Sequence, residues 1–316
     1  MRLPDWWIER GIGETRFALV DGGEILESRI LLDGVVPAGT GLRARLKVAG
    51  RLAVAIVGSD EYLLPNGAPR VSQGGALNIE VTREAISGPE PWKRPLARMI
   101  ETDPAPGSLP AGEELILPSS SDRLADAGWN DLIEEARTGA IEFAGGALRV
   151  SPTPAMTLID VDGTLPATEL ALAGASAAVR AILRHGIGGS IGIDLPTVDG
   201  KAARKRIDDA INAFLPKPFE RTAMNGFGFV QIVRPRRHAS LFELAQDRAA
   251  FEARALLRRA AFELAGPKIL VVHSAVAAVI QAKPGWLTAL SRQLGGTVGL
   301  RVAADLTMSG GYAEAI

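Results

Sequence analysis

Cysteine is absent from this chain of 316 residues. That excludes disulfides and every zinc site built on thiolates. Long apolar runs are missing too: none approaches the roughly 20 residues of a membrane-spanning helix. Met1-Arg2-Leu3-Pro4-Asp5 does not open like a signal peptide, so a soluble, cytoplasmic protein with no membrane partner is expected. Neither sign of charge dominates, with 35 Lys and Arg against 36 Asp and Glu and a formal net charge of −1. A sequence-blind nucleic-acid binder is usually basic overall. That class is disfavoured, whereas a local basic groove is not. The length suits two or three domains with a sizeable core.

The most informative stretch lies between Met156 and Asp194. A short apolar run from Met156 to Ile159 ends in Asp160. Pro166 then opens a helical pattern carrying Leu170, Val179, Ile182 and Leu183, and Gly186, Gly188 and Gly189 close it. A second apolar run, Ile191 to Ile193, ends in Asp194. Strand, helix, strand over this length predicts one right-handed βαβ unit with parallel strands. Both aspartates then open onto the same edge of a sheet, where ligands bind in open α/β folds. Adjacent strands lie about 4.8 Å apart. Two carboxylates at that spacing repel unless a cation joins them, and an all-oxygen donor set suits Mg²⁺ or Mn²⁺. The alternative is that each Asp caps the helix after it.

Around this unit the chain divides by pattern. Thr15–Val20, the turn Asp21-Gly22-Gly23 and Glu24–Leu31 predict a hairpin, with Trp6 and Trp7 before it as packing residues. Short alternating strands from Gly41 to about Ile86 predict a small all-β barrel. On it, Arg43, Arg45 and Lys47 share one strand face, and Tyr62 with Arg83 offers a ring and a cation to single-stranded RNA. A solvated charged face with a half-buried Tyr62 is the equal alternative. Glu101–Ser121 reads mainly as a linker rich in Pro, Gly and Ser, followed by a short helix over Asp126–Arg137. Beyond Asp194, a charged helix spans Lys201–Leu215 and a strand spans Phe227–Val233. That strand delivers Arg234, Arg236 and Arg237 into a turn, where guanidinium groups suit phosphate. A structural salt-bridge cluster is the other reading. A long helix over Asp247–Leu264 and a small α/β tail complete the chain.

Two families resemble parts of this pattern. Ile159-Asp160-Val161-Asp162-Gly163-Thr164-Leu165 resembles the first motif of haloacid dehalogenase-like phosphatases. The resemblance implies Asp160 as nucleophile and Asp162 as general acid, with Val272-His273-Ser274, Lys283-Pro284 and Asp305 as later motifs. It leaves Asp194 and the first half without a role. The wider sequence resembles the catalytic half of the ribonuclease E/G family. Gly145–Val150 followed by Thr157–Asp162 is similar to that family's GG-hydrophobic strand and its "IDIN" strand. Gly188–Leu195 is similar to "GGLIVIDF", and Phe227 through Leu241 to "FGLLEMSRQRLSPSL". Glu14–Gly23 resembles the family's opening strand and turn. The matches run in the family's order over most of the chain.

This second resemblance implies an α/β (α+β overall) fold. It has a ribonuclease H-like/DNase I-like mixed-sheet catalytic core, a small N-terminal oligonucleotide-binding β-barrel and a C-terminal α/β unit. The expected boundaries are 1–35 for the first ribonuclease H-like strands, 36–98 for the barrel and 99–150 for a linker and return. A catalytic domain at 151–245 and a small domain at 246–316 follow. The implied activity is Mg²⁺- or Mn²⁺-dependent endoribonuclease cleavage of single-stranded RNA, in RNA processing or decay. Asp160, Asp162 and Asp194 would be catalytic, the first and last as metal ligands. Tyr62, Arg83, Arg234, Arg236 and Arg237 would bind RNA. The sequence also departs from the family. Asp162 stands where Asn is usual, and Pro154 and Gln231 where Glu is usual. Most of the 5′-phosphate sensor domain and the zinc-binding CxxC are absent, so homo-oligomers linked by zinc are excluded and others are not. An RNA-binding relative with weak or no catalysis therefore stays open, as does the phosphatase.

Overall fold

Strands β1 (Asp5–Arg10), β2 (Glu14–Asp21) and β3 (Glu24–Leu32) form an antiparallel meander. The structure is a computed structural model that describes residues 4–86, 93–117 and 121–316, so the opening residues 1–3 of the leader reading lie outside it. Asp21 pairs with Glu24 across Gly22 and Gly23, both with positive φ (59° and 88°), as a two-residue type I′ turn requires.

Next come β4 (Gly41–Val48), β5 (Ala53–Val57), β6 (Asp60–Leu64), β7 (Ala76–Arg83) and β8 (Leu96–Ile100). They close into a barrel of order β4-β5-β6-β8-β7. Alternation explains its core: Ala44, Leu46, Leu77, Ile79 and Val81 point inward, and Arg43, Arg45 and Lys47 point out. Tyr62 belongs to that core, not to the surface.

The stretch expected as a linker contains a strand, β9 (Glu113–Leu115), parallel to β1. Three residues are too few for alternation to reveal it. Its approach depends on Gly112, where a Cβ would lie 1.9 Å from the Trp6 carbonyl oxygen. Residues 118–120 of that stretch lie outside the described ones. The single helix expected at 126–137 is two, α1 (Arg123–Asp126) and α2 (Trp129–Thr138), divided at Gly128 with φ of 95°.

A six-stranded mixed sheet follows. Its members are β10 (Ala140–Phe143), β11 (Gly146–Pro152), β12 (Thr157–Gly163), β13 (Gly189–Asp194), β14 (Glu220–Arg221) and β15 (Phe229–Arg234), in the order β10-β11-β12-β13-β15-β14. Helices α3 (Ala167–Arg184) and α4 (Lys201–Phe214) connect its strands. Gly174 lets α3 press onto β12, since a Cβ there would lie 2.3 Å from Val161 Cγ1. The tail runs α5 (Leu241–Leu244), α6 (Arg248–Ala260), β16 (Lys268–Val272), α7 (Ser274–Gln281), α8 (Pro284–Leu294), β17 (Val298–Val302) and β18 (Tyr312–Ala315). Its sheet has the order β17-β16-β18.

These elements form a mixed α/β protein of two compact units. One holds β1–β3, β9, α1, α2 and the chain from Leu244 to Ile316. The other holds the barrel and the six-stranded sheet. Two expected boundaries are therefore corrected. The aspartate sheet starts at Ala140 rather than 151, because β10 and β11 pair with β12 through it. The chain after 246 is not a separate small domain, because its apolar face and its arginines pack on the opening strands. Ile12 shares a core cluster with Leu256, Leu257 and Leu270. Arg254 pairs with Glu14, and Arg258 with Glu9. Among the described residues, no helix is long and apolar enough to cross a membrane.

Candidate active site

β12 and β13 are adjacent and parallel, and Asp160 is the register partner of Asp194. On β12 the buried residues Thr157, Ile159 and Val161 alternate with exposed Leu158, Asp160 and Asp162. On β13, Ile191 and Ile193 are buried and Asp194 is exposed. In-register residues of a parallel pair point to the same face, so Asp160 and Asp194 stand side by side about 4.8 Å apart. Asp162 stands two residues further along that face.

Loss of water around Asp160 pushes its carboxyl above the usual aspartate value, and the charges of Asp162 and Asp194 add to the rise. A hydrogen bond from the Val161 backbone N–H opposes it. Three acids thus share one field, and a cation relieves their repulsion. Two carboxylates with water completing the shell fit the oxygen preference of Mg²⁺ or Mn²⁺. Among the described residues, no three Asp, Glu, His or Cys side chains converge to hold an ion alone. An ion at this face would have the pair, not a triad, as its protein donors.

This arrangement fixes a pH dependence. An ion needs ionised Asp160, so its affinity drops as pH falls through the raised titration. The ion-free fold behaves oppositely at this group: ionising a carboxyl whose folded pKa is raised costs stability as pH climbs through that titration. Asp162→Asn removes one repelling charge. The acid limb of Mn²⁺ binding, followed by calorimetry, is then expected to move to lower pH. An unmoved limb would show that Asp162 lies outside the shared field.

Neighbouring strands furnish the rest of the face. Arg149 on β11 is opposite Asp160 and is exposed, while Phe229 on β15 is opposite Asp194 and half-buried. Neither was singled out from the sequence. Their signal, a period of two counted from each strand's buried residues, becomes usable only with the register known.

The RNA-binding residues expected from the sequence are dispersed. Tyr62 is 2% exposed inside the barrel, which removes it as a stacking surface for a base. Arg83 donates to the Arg94 carbonyl oxygen at 2.7 Å. Its guanidinium is lowered from the usual arginine value by burial first and then by the charge of Arg236. Arg236 pairs with Glu243, whose carboxylate also accepts from the Ser240 backbone N–H at 2.9 Å and its hydroxyl at 3.0 Å. Arg236 is thus a structural tie. Arg234 reaches the Ile187 carbonyl at 3.4 Å, and Arg237 is exposed. Arg234 is in register with Gly189, five residues from Asp194 on β13. At about 3.3 Å per residue that is roughly 17 Å. The arginine turn therefore sits at the end of the sheet away from the acids.

A set of buried charges in the other unit escaped sequence reading altogether. Arg16 Nη1 lies 2.6 Å from Glu9, Arg254 Nε 3.0 Å from Glu14, and Arg258 bridges Glu9 and Asp122. Three arginines there face three carboxylates, so the set is balanced and structural. Compared with known proteins, the chain matches no family model and no curated sequence.

Proposed function

We propose that this protein is a divalent-metal-dependent endoribonuclease cleaving single-stranded RNA, acting in cytoplasmic RNA processing or decay. The observation that carries the reading is the in-register pair Asp160 and Asp194 on one exposed sheet face. Two features support it. The order β3-β2-β1-β9, with β9 parallel to β1, fits a ribonuclease H-like start, and a closed five-stranded barrel follows it as an oligonucleotide-binding barrel would. Arg43 and Arg45 give that barrel an exposed basic strand face.

In this reading Asp160 and Asp194 hold the ion. When bound, Mg²⁺ or Mn²⁺ lowers the pKa of an attacking water and neutralises charge on the scissile phosphate. Asp162 keeps a third negative charge beside the pair, which favours a cation and disfavours a bare phosphate. Arg149, across from Asp160, can donate to a phosphate oxygen on the same face. The phosphatase reading is weaker. Its later motifs, at His273, Lys283 and Asp305, belong to the other compact unit, whereas such a site gathers at the strand ends of one sheet.

Purified protein incubated with end-labelled single-stranded RNA should give internal cleavage with Mg²⁺ and none with chelator. Turnover of a small phosphomonoester instead would favour the phosphatase. Binding without cleavage would leave the RNA-binding relative. The arginine turn carries a separate expectation. Arg234→Ala with Arg237→Ala should weaken RNA binding more at low than at high salt. The salt slope should fall by about 1.4, at ~0.7 per lost phosphate contact on a single strand. Equal slopes for double mutant and wild type would assign these arginines to structure alone.

A further inference from the structure

We infer that the turn carrying Phe227 is a base-stacking platform beside the aspartate pair, with Phe227 the ring that an unpaired RNA base covers. The inference rests on the nuclease reading above. Phe227 is 85% exposed, the most exposed of the large apolar side chains among the described residues. Its backbone is held by hydrogen bonds. Asn225 Oδ1 accepts the backbone N–H groups of Phe227 at 2.9 Å and Phe229 at 3.0 Å. The Asn225 backbone N–H donates to the Phe229 carbonyl oxygen at 3.1 Å, and Thr197 Oγ1 to that of Phe227 at 3.3 Å.

The next residue joins this turn to the acids. Leu195, directly after Asp194, donates its N–H to the Gly228 carbonyl at 3.3 Å. Gly228 has φ of 95°, and a Cβ there would lie 2.0 Å from the Leu195 carbonyl oxygen. Only glycine fits so near, so the exposed ring is held one residue from the strand end that bears the carboxylate. Phe229 continues the apolar surface. Its ring covers Gly192, whose Cβ would lie 2.5 Å from Phe229 Cζ and 2.9 Å from Leu158 Cδ2. Leu158 is itself 38% exposed on the acid face.

An exposed phenyl ring on a fixed turn loses little freedom on binding a flat partner. Single-stranded nucleic acid presents such a partner at every nucleotide, and stacking on aromatic rings is tolerant of sequence. With the scissile phosphate at Asp160 and Asp194, a flanking base comes within reach of Phe227. Stacking there fixes the phosphodiester over the carboxylates without contributing charge. It also accounts for single-strand preference, because bases in a duplex have no free face.

Binding of an RNA carrying 2-aminopurine, in chelator, separates this from the nuclease reading because no cleavage is involved. Phe227→Ala and Phe227→Leu should each weaken binding about tenfold, within the range expected for one stacked base. Both should lose the fluorescence quench of the stacked base. Phe227→Tyr should keep both properties, and the salt slope should stay at the wild-type value in all three, since no phosphate contact is removed. Circular dichroism should be unchanged, as the side chain is exposed. If wild type binds RNA but Phe227→Ala binds and quenches equally well, the platform is wrong and the nuclease reading stands. Wild-type affinity in Phe227→Leu would also overturn it, because simple apolar contact would then replace stacking. Failure of wild type to bind any single-stranded RNA would overturn both.

Discussion

If the protein is the proposed nuclease, Asp194→Asn is expected to abolish magnesium-dependent RNA cleavage and to leave RNA affinity in chelator within about twofold of wild type. The substitution keeps the side chain's shape and one oxygen donor but removes a charge from the pair that Asp160 completes across the strand. A divalent ion contributes several kcal/mol to a phosphoryl transition state, so losing it lowers the rate by about 10³-fold or more at 1.36 kcal/mol per decade. In the proposed reading RNA affinity rests elsewhere, on exposed cations and on the turn at Phe227, and should persist. Cleavage rate and chelator-phase affinity, measured on the same preparation, decide the matter. Full-rate cleavage by Asp194→Asn would falsify the metal-pair mechanism. A phosphatase would instead lose phosphomonoester turnover in Asp160→Asn and retain it in Asp194→Asn.

Arg258→Ala is expected to destabilise the other unit strongly. The Arg258 side chain is 3% exposed, and its guanidinium lies 2.9 Å from Glu9 Oε1 and 2.8 Å from Asp122 Oδ2. Glu9 is 1% exposed and shares its carboxylate with Arg16 at 2.6 Å. Removing Arg258 leaves buried Glu9 and Glu14 and half-buried Asp122 facing two arginines, with one charge uncompensated. Breaking such a pair from one side costs about 3–5 kcal/mol. Four of the five tryptophans, Trp6, Trp7, Trp129 and Trp286, lie in this unit, so the urea midpoint of tryptophan fluorescence reads its unfolding. Arg301→Ala, which breaks an exposed pair with Glu314, is the control and should barely move that midpoint. A midpoint for Arg258→Ala as high as the control's would mean that the cluster relaxes or hydrates when opened.

The βαβ unit was legible because its signals are local. Two apolar runs, a Pro-started helix and a glycine stop set Asp160 beside Asp194, and the observed register agrees; β12 runs on to Gly163, so Asp160 stands in mid-strand and not at the strand end expected. Local signals fail where face or partner is set at a distance. Glu61-Tyr62-Leu63-Leu64 alternates whichever face is buried, and barrel closure rather than the strand puts Tyr62 inside. Arg234, Arg236 and Arg237 look alike in sequence, yet it is Arg236 that pairs with Glu243 when the chain turns back. The three-residue β9 has no periodicity to read. The aromatic turn at Phe227 was hidden because apolar residues before Val230 extend the strand pattern by two positions, whereas the strand begins at Phe229.

The pairing of Glu9 and Glu14 with Arg258 and Arg254 spans 249 and 240 residues of sequence. On a ribosome, β1 and β2 emerge some 240 residues before α6 and must wait for that segment before their carboxylates meet these arginines. The barrel and the aspartate sheet, contained between residues 34 and 243, are complete before that moment. Contacts of such separation are slow to form, and the strands that wait for them are exposed to misassociation meanwhile. The interrupted layout of the chain thus sets an order of assembly in which the segment carrying the acids is synthesised whole before the unit that flanks it can close.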